Sequence, residues 1–440
     1  MNKVNSILKK ALKKVEPPKE DLELIENSLK YFLEEFQKKI KKMKIDAEIF
    51  VGGSFAKNTV IKKDKYDVDV FVRFPENQRF SVSKTSKKQK VSDDKKYDIS
   101  KLLEKALKGF RNVTKIHGSR DYFKIKIGPS FFIELIPVKK IKNPKEAENI
   151  TDLSYSHVKY INKKIKSKKL LDEIRLAKAF CYANKCYGAE SYISGFSGYS
   201  LELLIYYYKS FIRFVREITK IKEQKIIDIE KAYKNKSLVL MDINSAKLNS
   251  PIVLVDPTYK SRNVLAALSY ETFREFQKAC KKFIAKPSYS SFEIEKIDLK
   301  KIKENAKSKN YEFLLIETKT HKQEGDIAGS KLLKFYRHLE FEIKDFFSVK
   351  KKGFAYNGKK TAKFFFVVKN KGEIIHSGPS LKDKKNVERF KKKHKNTFSK
   401  KQRIHSKRKI NFTLRNFINI WKNKNKKKLR EMDISSLKLL

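Results

Sequence analysis

Across residues 19–44, after Pro17-Pro18, apolar side chains fall at Leu22, Ile25, Leu29, Phe32, Leu33, Phe36 and Ile40. Spacings of three and four predict an amphipathic helix, with Glu20 and Asp21 in its first turn. The period then changes. Residues 47–51 (AEIFV) and 67–74 (DVDVFVRF) read as strands, joined by a Gly52-Gly53-Ser54 turn and a polar connection about as long as a short helix. A helix around 102–110 and strands at 122–127 (YFKIKI) and 131–138 (FFIELIPV) complete a small mixed α/β unit. Residues 77–96, polar and rich in Lys and Ser, predict a mobile loop.

From about 146 to 280 the pattern turns helical, in 173–185 (EIRLAKAFCYANK) and 197–218 (SGYSLELLIYYYKSFIRFVREI), with 188–198 (GAESYISGFSG) as the break. Beyond Pro287, a strand at 311–317 and a helix at 331–347 are expected. Residues 362–370 and 372–378 then read as a hairpin turning at Asn370-Lys371-Gly372. The expected organisation is a multidomain α/β (α+β) chain with domains 1–145, 146–285 and 286–440. No internal repeat is present.

Composition narrows the class. Apolar residues make up 40% and aromatics 12% of 440, which excludes a disordered chain. Lys and Arg outnumber Asp and Glu by 104 to 50, a surplus of 54 positive charges that points to a polyanionic partner, nucleic acid first. A general lysine bias, visible in the abundance of Lys over Arg and in the many Ile, Asn, Tyr and Phe residues, accounts for much of its size. Lysine suits phosphate contact more than base reading. Residues 389–409 and 421–430 interleave this charge with His394, Phe398, His405 and Trp421, a mixture that can grip phosphates and stack bases. A solvated lysine-rich face is the alternative.

Cys181, Cys186 and Cys280 lack CxxC spacing and fit neither a disulfide framework nor a zinc site, so core thiols in a reducing compartment are expected. The first 18 residues hold no continuous apolar stretch, and nowhere do 18 apolar residues run together. No membrane association and a cytoplasmic location are the expectations.

Within so basic a chain, Asp67 and Asp69 stand two apart on a predicted strand and point to one side. Two like charges at that separation call for a cation. Hard oxygen ligands suit Mg²⁺, and paired metals about 3.5–4 Å apart clamp the attacking and leaving oxygens of an in-line displacement. Alternating acids on an exposed strand are common, so the pair gains weight from the Gly-Gly-Ser turn, whose backbone N–H groups and hydroxyl can cradle phosphates. Glu134, alone in FFIELIPV, is a third acid that needs charged compensation, by a metal or by an ion pair with one of the many lysines.

GGSFAKNT (52–59) followed by DVD resembles the nucleotidyltransferase motif of the DNA polymerase β superfamily. YGAESYISGFSGYSLELLI (187–205), VDPTYKSRNVLAALS (255–269) and SGPSLKDKKNVERFKKK (377–393) are similar, in the same order, to segments of the archaeal class I CCA-adding enzymes. The resemblance implies a polymerase β-like head, helical neck and α+β body with an RNA-binding tail. It implies template-independent addition of CCA to the tRNA 3′ end from CTP and ATP, with release of pyrophosphate.

On the same ground Asp67 and Asp69 would hold both Mg²⁺ ions, and Glu134 would take the third carboxylate position beside the attacking hydroxyl. The family usually has aspartate there, so glutamate adds a methylene. Gly53, Ser54 and Lys57 would meet the triphosphate, and His157, Lys178 and Tyr187 match positions that contact the nucleotide's phosphates or sugar. Arg262 matches an arginine that helps read the incoming base, pairing with Asp256 being its other use. The rival readings are a poly(A)- or oligoadenylate-type nucleotidyltransferase and a non-catalytic RNA-binding protein. The sequence leaves open whether all or part of CCA is added, and the oligomeric state, a homodimer included.

Overall fold

The structure, a computed structural model, describes residues 2–75, 98–295 and 297–440; the loop expected at 77–96 lies outside them. It falls into two compact units, 1–295 and 296–440.

The first unit begins with helices α1 (Asn2–Val15) and α2 (Lys19–Lys42), followed by β1 (Glu48–Val51), α3 (Gly53–Ala56), β2 (Tyr66–Phe74), α4 (Ile99–Ala106), β3 (Val113–Ile116), β4 (Tyr122–Lys126) and β5 (Phe131–Lys139). The strands form one sheet in the order β1-β2-β5-β4-β3, with β2 and β5 parallel and the other neighbours antiparallel. Alternation along each strand decides which face is buried. Val68, Val70 and Val72 of β2, Ile133 and Leu135 of β5, and Phe123 and Ile125 of β4 join Ile25, Leu29, Phe32, Phe36 and Ile40 of α2 in a single core. Each of those large side chains contributes roughly 1.5–3 kcal/mol on burial, enough to fix the strand register. The intervening residues, Asp67, Asp69, Lys124 and Glu134 among them, therefore face the other way.

A second core gathers α5 (Ser154–Lys164), α6 (Lys168–Ala183), α7 (Gly198–Tyr208), α8 (Phe211–Lys220) and, later in the chain, α10 (Tyr270–Ala285). Ala11 of α1 is buried in this core, with Ile7, Leu8 and Leu12 packed beside it. All three cysteines are buried free thiols. The helix expected over 197–218 is two helices. Lys209 turns left-handed at φ 66° to end α7, and Ser210 caps α8 by accepting from the Arg213 N–H. Neither glycine nor proline marks that break. Between α8 and α10 lie β6 (Lys225–Ile227), α9 (Lys236–Asp242), β7 (Ile252–Asp256) and β8 (Tyr259–Asn263), whose strands form a three-stranded sheet that the helical pattern concealed.

The second unit holds α11 (Leu299–Ser308), β9 (Glu312–Thr320), α12 (Asp326–Phe346), β10 (Phe347–Tyr356), β11 (Thr361–Asn370), β12 (Glu373–Ser380), α13 (Lys384–Lys393), β13 (Thr397–Lys400), β14 (Arg403–Lys409), α14 (Leu414–Lys424), α15 (Lys426–Glu431) and β15 (Ile434–Leu439). One antiparallel sheet runs β10-β11-β9-β15 and another β12-β14-β13. The turn expected at 370–372 is present, with Gly372 at φ 75°. It does not close a hairpin, however: β11 pairs with β10 and β9, whereas β12 pairs with β14. Trp421 is buried in the main core against Phe335, so it is not a base-stacking platform. His394 stacks on Phe390 and His405 on Phe398 at the smaller sheet, where all four rings stay exposed or partly exposed. No helix among the described residues is long and apolar enough to cross a membrane.

Candidate active site

On the open face of the first sheet, the register places Asp69 of β2 opposite Glu134 of β5, and Glu134 opposite Lys124 of β4. Asp67 lies two residues before Asp69 on the same face. The Lys124 ammonium stands 2.6 Å from Asp67 Oδ1 and 3.1 Å from Glu134 Oε1. Glu134 thus makes the lysine ion pair that was one of its two expected uses, with Asp67 sharing the same lysine. Among the described residues no hydrogen bond or ion pair engages the Asp69 carboxylate. Burial, then the charges of Glu134 and Asp67, push it up to about 7 against the pull of Lys57 and Lys124. Burial likewise raises Glu134, with Asp67 adding to the effect and Lys124 opposing it.

Three mutually repelling hard-oxygen donors on one face, one of them without a partner, suit divalent cations in their chemistry. Among the described residues no three His, Cys, Asp or Glu side chains converge into a closed ligand group.

The Gly-Gly-Ser turn is tied to this row. The Gly52 N–H donates to the Asp69 carbonyl at 2.8 Å, and Gly53 adopts φ 61°. A Cβ on Gly53 would come within 1.7 Å of Asp69 Oδ2, so only glycine allows the backbone to pass so close to that carboxylate. Ser54 follows in the short α3, its carbonyl accepting from the Thr59 N–H at 3.0 Å.

Lys57 and Lys178 meet at Glu202, an acid in the apolar run of α7 that is fully buried. Glu202 Oε2 accepts from Lys57 at 2.6 Å, and Oε1 accepts from Lys178 and from the Thr59 hydroxyl, both at 2.8 Å. Lys178 also donates to Thr59 Oγ1 at 2.7 Å. Burial alone would raise Glu202, but the two ammonium groups hold it down to about 2. Burial lowers Lys178 to about 8, with Glu202 opposing the fall. The one buried carboxylate is thus shared between two lysine side chains. Tyr187 lies beside it: a Cβ on Gly198 would sit 3.1 Å from the Tyr187 hydroxyl and 3.7 Å from Lys178 Nζ. Lys63 reaches over the Tyr187 ring at 5.5 Å.

Three residues before Glu202 on α7, Tyr199 joins a second cluster around Asp256 at the end of β7. The Asp256 carboxylate accepts from His157 Nε2 and the Tyr199 hydroxyl, each at 3.1 Å, from the Thr258 N–H and hydroxyl, and from Arg262 Nη1 of β8. The His157 and Tyr199 rings stack at 4.1 Å. Burial favours the protonated form of Asp256, but His157 and Arg262 outweigh it and hold the acid well below its usual range. Burial depresses His157, against the attraction of Asp256. The pairing of Arg262 with Asp256 is present, and it fixes one end of the guanidinium. The Lys57 ammonium, 5.8 Å from the Tyr199 ring, connects the two clusters.

Sequence reasoning did not single out Glu202, Tyr199, Thr59 or Lys124. Glu202 carried the signal that drew notice to Glu134, a lone acid in an apolar run. Lys124 had none, because its importance comes from cross-strand register alone.

A sheet that turns two of its central strands' acids toward a Gly-Ser turn is the arrangement of a nucleotidyltransferase head, and residues 29–127 match the family model described as nucleotidyltransferase domain. Residues 172–293 match that described as tRNA nucleotidyltransferase, second domain. Among curated proteins, the chain is 36% identical over 259 residues to the CCA-adding enzyme of Nanoarchaeum equitans, covering 58% of this chain and 59% of that one. It is 30% identical to the CCA-adding enzyme of Archaeoglobus fulgidus, covering 69% and 62%. With that of Methanocaldococcus jannaschii it shares 27% identity over 407 residues, 90% and 85%. The chain spans about three fifths of the length of the first two relatives. The chain thus carries matches to both domain models in order and is similar to archaeal CCA-adding enzymes over 58–90% of its length.

Proposed function

We propose that the protein adds CCA to the 3′ end of tRNA from CTP and ATP without a nucleic-acid template, releasing pyrophosphate. The observation that carries this reading is the row of Asp67, Asp69 and Glu134 on one sheet face beside the Gly53-Ser54 turn. Asp67 and Asp69 would hold the two divalent cations, for which Mg²⁺ is the hard-ligand choice, with Glu134 as the third carboxylate of the site. When bound, these ions lower the pKa of the attacking hydroxyl and stabilise charge on the α-phosphate.

The chain's own groups supply positioning. The backbone of Gly53 and Ser54 faces the triphosphate. Lys57 and Lys178, held by Glu202, are fixed in place beside it, and Tyr187 borders the sugar. His157 donates to Asp256 and so orients both Asp256 and Arg262. With Nη1 anchored on Asp256, Arg262 keeps further N–H donors for the acceptors of cytosine and adenine. The α+β unit contacts the tRNA through its basic smaller sheet, where His394, Phe390, Phe398 and His405 stack in pairs. The expected domain roles are a catalytic head at 1–145, a nucleotide-binding neck at 146–285 and a tRNA-binding body at 286–440.

The test is to incubate the protein with Mg²⁺, all four NTPs and tRNA ending at the discriminator base, then sequence the 3′ ends. Tails that stop at CCA support the reading. Long A tails would move the protein to the poly(A) class, and absence of extension would make it an RNA-binding protein. For Arg262→Ala, the preference for CTP and ATP over UTP and GTP should fall about tenfold, the size of one lost charge-assisted hydrogen bond. Single-nucleotide incorporation with each NTP measures it. Undiminished discrimination would remove Arg262 from base reading.

A further inference from the structure

Lys124 is the one feature of the carboxylate row that the proposed chemistry does not use. Its ammonium bridges Asp67 Oδ1 at 2.6 Å and Glu134 Oε1 at 3.1 Å, and it lies 4.8 Å from the ring of Phe132, which shares the same face. The position is set by pairing: Lys124 stands directly opposite Glu134 in the β4–β5 register, and β4 is held there by Phe123 and Ile125 in the core. Two carboxylates and an aromatic face form a built cation site, and the chain fills it with its own charge.

A divalent ion held by Asp67 and Glu134 would draw, at oxygen distances of about 2.0–2.1 Å, on the two carboxylates that already share the ammonium. An ammonium bonded to both opposes the binding of such an ion, because like charges within a few ångströms repel strongly where solvent is partly excluded. We propose that Lys124 is an internal counter-cation of Asp67 and Glu134 that competes with the divalent metal for them. This inference builds on the reading of the three acids as the metal site.

Two consequences follow from the charges. Without nucleotide, metal affinity is lowered by the work of displacing the ammonium. Once displaced, the ammonium needs a new anionic partner, and a polyphosphate brought in with the metal provides one. Lys124 therefore couples metal occupancy to the presence of nucleotide.

The experiment is a Mn²⁺ titration of the full chain without nucleotide, with free Mn²⁺ read by electron paramagnetic resonance, for wild type, Lys124→Met, Lys124→Arg and Asp69→Asn. Lys124→Met should bind Mn²⁺ about tenfold more tightly than wild type or better, a shift expected from removing one adjacent unit charge. Lys124→Arg, which retains the charge, should stay at the wild-type value. If Lys124→Met does not fold, Lys124→Gln replaces it with the same expectation. Equal or weaker binding by the neutral variant, in a wild type that binds and an Asp69→Asn that does not, would overturn this inference alone. An equal gain in Lys124→Arg would overturn it too, because shape and not charge would then be responsible. No Mn²⁺ binding by any of the proteins would overturn it together with the metal reading beneath it.

Discussion

Asp69→Asn should reduce nucleotidyl transfer by about a thousandfold or more while leaving tRNA affinity within about twofold of wild type. The substitution keeps the volume and planar shape of the side chain and removes only its charge. Asp69 is the acid of the row with no hydrogen bond or ion pair among the described residues, and burial, Glu134 and Asp67 push it up to about 7. Burial and the two neighbouring acids outweigh the pull of Lys57 and Lys124 on that charge, so its removal brings no net loss of attraction to the fold. The thermal midpoint should therefore stay level or rise, which separates a catalytic defect from unfolding. Single-turnover incorporation of labelled CTP into tRNA ending at the discriminator base, beside a tRNA filter-binding curve, measures both effects. Transfer at the wild-type rate would show that Asp69 holds no catalytic metal.

The parts of this site legible in the sequence were those in which one residue's chemistry conflicts with its surroundings. Asp67 and Asp69 are conspicuous in a basic chain, Glu134 in an apolar strand, and Gly52-Gly53 between two strands. The core of the head was legible because the alternation of Val68, Val70 and Val72 and the helical spacing of Ile25 to Ile40 each specify a face. What stayed hidden depends on pairings between distant segments. Lys124 is one lysine among many until β4 and β5 are aligned. The chain turns at Lys209 without glycine or proline, in a run whose periodicity suits one continuous helix. β11 and β12 have the turn of a hairpin, yet each finds its partner elsewhere, since pairing depends on the sheets available and not on the turn. Trp421 sits in a basic segment but on the buried side of α14, a distinction that composition does not carry.

Glu202→Ala should cost about 3–5 kcal/mol of unfolding free energy, measured by urea denaturation at pH 7, the range for breaking a buried ion pair by removing one partner. Glu202 is wholly buried, and Lys57 and Lys178 are 8% and 1% exposed, so alanine would leave two ammonium groups without their shared anion where water cannot replace it. Glu202→Gln retains the shape and an acceptor for the Thr59 hydroxyl, and its loss should be smaller. The pH dependence tests the charge itself. Glu202 is held down to about 2, below its ordinary 4.5, so its contribution is fully present above about pH 4.5 and disappears as the pH falls from there toward 2. The stability difference between wild type and Glu202→Gln should therefore shrink as the pH falls from about 4.5 to 2. A difference unchanged at pH 3 would mean that Glu202 stabilises through shape and hydrogen bonding alone. Because the same carboxylate fixes Lys57 and Lys178 beside the proposed triphosphate position, KM for nucleotide should rise in Glu202→Gln at pH 7, where the protein remains folded. A variant that loses stability but keeps the wild-type KM would reduce the cluster to a structural brace.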